Sequence, residues 1–77
     1  MTKQQKSLLI KQALKLTTLG IKVEQERDIL RRLVEQGYAY TSPEMREALT
    51  RFRQVDAEWK QLEAEHLASK VEIQRGR

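Results

Sequence analysis

The sequence predicts an all-α fold: an antiparallel two-helix hairpin of coiled-coil type that dimerises into a four-helix bundle. Three observations carry that expectation. Two long stretches have no proline in their interior. Each repeats seam residues with a period of seven. Between them lies one short segment made of helix-stop and helix-start residues. With 77 residues the chain holds one small domain, residues 1–77.

Helix 1 is expected over about 3–36. Leu9, Leu16, Val23 and Leu30 recur at one seam position, and Ala13, Gly20, Arg27 and Val34 occupy the other. Gly20 admits two readings. Either the helix runs through it, or Thr17-Thr18-Leu19-Gly20 ends a first helix with Ile21 as the contact of a glycine cap. No capping residue follows at 21–23 to start another helix, so the continuous helix is the expectation.

The loop is expected at 37–42. Gly37 suits the left-handed position just past a helix end. Ser42 is an N-cap, Pro43 sits where a missing N–H costs nothing, and Glu44 favours the positive end of the helix dipole.

Helix 2 is expected over about 43–73. Met45, Phe52, Trp59, His66 and Ile73 recur every seven residues, with Ala48, Val55, Leu62 and Ser69 at the second seam position. A loop this short makes the helices antiparallel and pairs positions whose numbers add to about 79. Gly20 then lies opposite Trp59 and Ala13 opposite His66, small against large. Val34 falls beside Met45, and Arg27 beside Phe52 and Asp56. Arg27 and Asp56 are polar residues near the seam that can pair and fix its register.

Composition excludes whole classes of chemistry. There is no cysteine and a single histidine, so disulfides, thiolate metal sites and multi-histidine sites within one chain are out. Three glycines leave no phosphate-cradling loop. Glu63-Ala64-Glu65-His66 matches the Glu-x-x-His pattern of di-iron bundles, but the facing stretch around residues 10–17 has no acid to complete the ligand set. No Ser/His/Asp constellation is visible. The expectation is therefore no catalytic residue, no metal and no cofactor. The apolar stretch of residues 7–19 is interrupted by Lys11, Gln12 and Lys15, unlike a signal peptide, and no run is long enough for a membrane span. A cytoplasmic location is expected.

The net charge of +4 is unevenly placed: residues 1–22 hold five lysines and no acid, whereas 23–77 hold ten basic and eleven acidic residues. Lys11, Lys15 and Lys22 share a narrow strip of helix 1. Such a strip suits an acidic protein, nucleic-acid phosphates or an anionic membrane. It holds no arginine or aromatic residue to read or stack a base, and its apolar side has no tryptophan or phenylalanine for a membrane interface. Near the loop, Tyr38, Tyr40 and Arg46 form a second candidate contact patch, among arginines expected to pair locally as Asp28–Arg32 and Glu47–Arg51. Beyond its seam helix 1 also shows Leu8, Ile10, Leu14, Leu19, Ile21, Ile29 and Leu33, more apolar surface than one partner helix covers.

Arg27, Leu30, Leu33, Gly37, Tyr38 and Ser42-Pro43-Glu44 give Ile21–Leu62 an outline that resembles the small sporulation-type phosphatases. Those helical hairpins dephosphorylate the aspartyl-phosphate of response regulators. Their second helix carries Ser-Gln-x-Leu-Asp, and the nearest stretch here is Phe52-Arg53-Gln54-Val55-Asp56. The resemblance implies Gln54 and Asp56 as the counterparts. The opening Met-Thr-Lys-Gln-Gln-Lys is similar to that of the Rop-like hairpin dimers, which bind paired RNA loops, with Leu14 where their RNA-contacting aromatic stands.

The function expected from all of this is a small non-catalytic regulatory or interaction protein that docks a protein partner and forms a homodimer. Its partner-binding residues are Lys11, Lys15, Lys22, Tyr38, Tyr40 and Arg46, and Gly20, Arg27, Asp56 and Trp59 set its register. The alternatives are a response-regulator phosphatase, an RNA- or DNA-binding hairpin dimer, and an export or assembly chaperone.

Overall fold

Two helices, α1 (Lys3–Glu35) and α2 (Pro43–Arg75), make up the computed structural model, which describes residues 2–76. Each has 33 residues and is therefore roughly 50 Å long at the α-helical rise. They lie antiparallel in a rod of 55 × 16 × 14 Å. The helical hairpin is thus the architecture that the heptads and the loop predict. α2 runs two residues beyond the expected boundary at 73. Gln36, placed in helix 1 by the sequence, is its C-cap.

The ends are capped by local chemistry. Thr2 and Gln5 form a reciprocal capping box at the start of α1, with Gln5 N–H donating to the Thr2 hydroxyl at 3.1 Å and Thr2 N–H to Gln5 Oε1 at 2.9 Å. At the other end Gly37 takes φ +88°. Its N–H bonds the Val34 carbonyl, while the Tyr38 N–H reaches back to Leu33. This is the double closure of a Schellman cap, and only glycine enters that backbone region without strain. Ser42 caps α2 by accepting from the Met45 N–H, and its hydroxyl donates to the Ala39 carbonyl at 2.7 Å. One serine therefore closes the loop and opens the helix.

α2 packs as its heptads dictate. Met45, Ala48 and His66 are buried, and Phe52, Val55, Trp59, Leu62, Ser69 and Ile73 are half-buried. On α1 the first seam row, Leu9, Leu16, Val23 and Leu30, faces the partner helix as expected. The second row is corrected by one residue. Gln12, Leu19, Glu26 and Leu33 are half-buried, whereas Ala13, Arg27 and Val34 are exposed. The interval from the first row is thus three residues, so the seam carries Gln12 and Glu26 where Ala13 and Arg27 were expected, and Leu19 and Leu33 where Gly20 and Val34 were. Gly20 alone of the expected row is half-buried, because Trp59 lies over it.

α1 is continuous through Gly20. The hydroxyls of Thr17 and Thr18, which as β-branched residues favour extended backbone, donate to the carbonyls of Ala13 and Leu14 at 3.1 Å each. Those bonds satisfy the hydroxyls within the helix. At Gly20 the missing side chain leaves a notch, and a Cβ there would lie 3.4 Å from Trp59 Nε1. The indole N–H donates to the Leu16 carbonyl at 3.2 Å. Leu16 is one helical turn before Gly20, so the same carbonyl also accepts the helix bond from the Gly20 N–H.

This geometry separates two substitutions. Gly20→Ala adds a methyl at ordinary contact distance and removes the glycine penalty, so it should raise stability by about 0.5–1 kcal/mol with Trp59 emission little changed. Gly20→Leu should expel the indole, lowering stability by about 1–3 kcal/mol and shifting the emission to the red. Chemical denaturation followed by Trp59 fluorescence measures both, and equal stability and emission for the leucine variant would refute the notch.

Candidate interaction surface

Spacings of four and seven residues place Lys11, Lys15 and Lys22 on one flank of α1. All three are exposed. The flank is sculpted by shallow hollows. One of about 460 Å³ lies between the helices, where Leu8, Lys11, Leu14 and Lys15 face Leu62 and Glu65. A second, of about 370 Å³, is lined by Leu14, Lys15, Thr18 and Leu19. Lysine stems are apolar and their ammonium groups stay in water, so such a flank offers a greasy floor with a positive rim. Among the described residues the ion pairs are Arg31–Asp28, Arg51–Glu26 and Lys60–Asp56. None engages the strip, although Glu65 lines the same hollow as Lys11 and Lys15.

The loop end forms a separate surface. Tyr40 is 72% exposed and Tyr38 41%, and Arg46 projects from the first turn of α2 into solvent. The local arginine pairing differs from expectation. Asp28 pairs with Arg31 at 3.8 Å in place of Arg32, and Arg51 reaches across the rod to Glu26 at 3.7 Å in place of Glu47. Because Lys11 and Glu35 are about 36 Å apart along α1, the lysine strip and the tyrosine loop do not converge on one site.

The register residues divide. Gly20 and Trp59 meet as expected. Arg27 and Asp56 are not an ion pair: the Arg27 guanidinium lies over the Phe52 ring at 5.9 Å from its centroid, and Asp56 takes Lys60 on its own helix at 2.9 Å. Both line a small hollow of about 200 Å³ beside Gly20 and Trp59. An i,i+4 lysine reaches its carboxylate with less rearrangement than an arginine that already has an aromatic face to cover. Gln54 and Asp56 point to different sides of α2, Gln54 being exposed and Asp56 half-buried.

The polar chain that crosses the seam lies elsewhere. His66 Nδ1 is 2.9 Å from Gln12 Oε1, the Gln12 amide donates to Ser69 Oγ at 3.2 Å, and the Ser69 hydroxyl donates to the Glu65 carbonyl at 3.0 Å. With Gln12 so oriented, His66 carries its Nδ1 proton toward α1. Gln12, in place of the expected Ala13, takes the position over His66 because the second seam row is three residues from the first. Glu26, which meets Arg51 across the rod, escaped notice for the same reason. The heptad carried the signal: Gln12 and Glu26 are three residues after Leu9 and Val23.

No protein family, curated protein or solved structure matches the chain. Among the described residues no helix is long and apolar enough to cross a membrane.

The polar chain makes a stability prediction. Gln12→Leu strands the buried His66 donor and should cost about 1–3 kcal/mol, while adding His66→Leu in the same chain should recover most of that loss. Urea denaturation of the two variants checks this, and a double variant no more stable than the single one would contradict it.

Proposed function

We propose that the chain is a small non-catalytic interaction module that docks a protein partner along the lysine flank of α1, with the tyrosine loop as a second contact. The supporting observation is the lysine strip, without an ion pair among the described residues, bordering apolar hollows that no part of the described chain fills. The overall surface agrees. The accessible area is 6263 Å², against roughly 4,900 Å² for a compact monomer of this mass. The radius of gyration is 17.1 Å, against about 12 Å for a globule of this length. A rod this open has surface to spare for a partner. Positive charges around an apolar floor suit an amphipathic helix with acidic edges, which seats apolar anchors in the hollows and places carboxylates near the lysines.

The experiment is a paired affinity capture from the native host under nuclease treatment, using the wild-type chain and a Lys11→Glu/Lys15→Glu variant. The expected outcome is one partner recovered at near-equimolar amount by the wild type and reduced at least tenfold by the variant, with circular dichroism unchanged. Equal recovery by both chains would overturn the assignment of the flank. Loss of the captured species on nuclease treatment would point to nucleic acid in place of protein.

A further inference from the structure

α1 carries a second heptad stripe on its exposed back, whose Leu14 and Glu24 also edge the hollows beside α2. Starting at Lys3 and ending at Asp28, its positions alternate by four and three residues, the spacing of a coiled-coil seam. Every residue on it is exposed, including Ile10, Leu14 and Ile21 at 51%, 64% and 53%. The stripe is graded: Lys3 and Ser7 at its start, Ile10, Leu14, Thr17 and Ile21 in its middle, Glu24 and Asp28 at its end.

We infer that this stripe pairs with the same stripe of a second copy, antiparallel, about a two-fold axis between Leu14 and Thr17. The inference names a partner for the back of the rod, and it rests on the docking reading only in treating the hairpin as an interaction module. Turned end for end, the gradient is its own complement. Ile10 meets Ile21 of the second copy and Leu14 meets Thr17. Lys3 meets Asp28, and Ser7 meets Glu24. Each of these pairs joins one seam position to the other kind, as antiparallel coiled coils require, and the two-fold axis repeats every contact. Asp28 is free to participate, since its pair with Arg31 is a long, solvent-exposed one.

The charge pattern selects this occupant over others. A parallel pair would stack Lys3 on Lys3 and Asp28 on Asp28. A uniformly acidic helix would satisfy the lysine end and oppose Glu24 and Asp28. An anionic membrane surface would repel that same acidic end. Only a sequence running from basic to acidic in the opposite direction fits along the whole stripe, and the chain supplies one. The resulting layer places both α1 helices in the centre and both α2 helices outside. Because equivalent flanks of antiparallel helices meet on one side, the Lys11, Lys15 and Lys22 strips of the two copies join on a single face.

The chain has no cysteine, so introduced thiols report the register without interference. A chain carrying Ile10→Cys, mixed with one carrying Ile21→Cys and oxidised, should form a heterotypic disulfide dimer as the main product. Each variant alone should give little, because equivalent positions are then about 16 Å apart along the axis. In sedimentation equilibrium Lys3→Glu should weaken the dimer roughly two- to tenfold, and Lys3→Glu/Asp28→Lys in one chain should restore it. Folding of each variant is checked by helical circular dichroism. A monomer at tens of micromolar, homotypic links as strong as heterotypic ones, or a dimer indifferent to charge reversal would each overturn the pairing. The docking reading fails separately: a crosslinked dimer whose Lys11→Glu/Lys15→Glu form captures partners as well as the wild type sinks that reading and leaves this one intact.

Discussion

Trp59 seated on Gly20, with its indole N–H on the Leu16 carbonyl, is the constraint that turns two amphipathic helices into one defined rod. Apolar seams with a heptad repeat slide: displacing α2 by one heptad still sets largely apolar rows against each other, because burial is non-directional. A displacement of that size would move the indole off the single glycine in α1 and onto a residue with a side chain. It would also separate His66 from Gln12 and Arg51 from Glu26, contacts made 2.9 Å and 3.7 Å apart. Apolar burial thus holds the helices together, while one notch and a few directional polar contacts determine where they stop.

That division of labour matters because there is so little core. Val23, Met45 and Ala48 are the buried apolar residues among those described, with His66 as the buried polar one. Met45 and Ala48 sit close to the loop, so the tightest packing is beside the doubly closed glycine cap and the Ser42 turn. Toward the chain ends Gln12, His66 and Ser69 replace aliphatic contacts in the seam. The hollows between Leu8, Leu14 and Leu62 lie on the same half. Where the hairpin is least able to cover its own apolar surface, it also carries its lysine strip. That coincidence is what supports the proposed docking surface.

Much of this was legible in the residues. Gly37 and the Ser42-Pro43-Glu44 start located the loop because each demands a particular backbone state, whatever surrounds it. The α2 seam was legible because large side chains mark it. α1 was harder, since Ala13, Gly20 and Val34 form a small, apolar row that imitates a seam. The real second row holds Gln12, which meets His66, and Glu26, whose Oε2 is buried without a hydrogen-bond partner and has Arg51 at 3.7 Å. Pairing of Arg27 with Asp56 looked natural from register alone. It lost to Lys60 on the same helix and to the Phe52 ring, alternatives that a one-dimensional count of positions does not weigh. The lysine strip followed from spacing, but its lack of ion-pair partners depends on where every acidic side chain of α2 points.

The uneven charge of the chain takes on a geometric meaning in this setting. Residues 1–22 carry five lysines and no acid, yet these lysines do not form one patch. Lys11, Lys15 and Lys22 lie on the flank beside the inter-helix hollows, whereas Lys3 opens the graded stripe on the back. The two placements have different physical consequences. A charge on the flank has no acidic complement in its own row and so favours a partner that brings one. A charge on the back belongs to a gradient that ends in acid on the same chain, and a second copy in the proposed pairing would neutralise it. Self-association through the back would leave the three lysines and the tyrosine loop exposed but would cover Leu14, which lines both hollows of the flank. It also doubles the lysine face, so two weak docking events on one partner assembly would reinforce each other through effective concentration. A short rod with a thin core would in this way carry two interfaces that adjoin at Leu14.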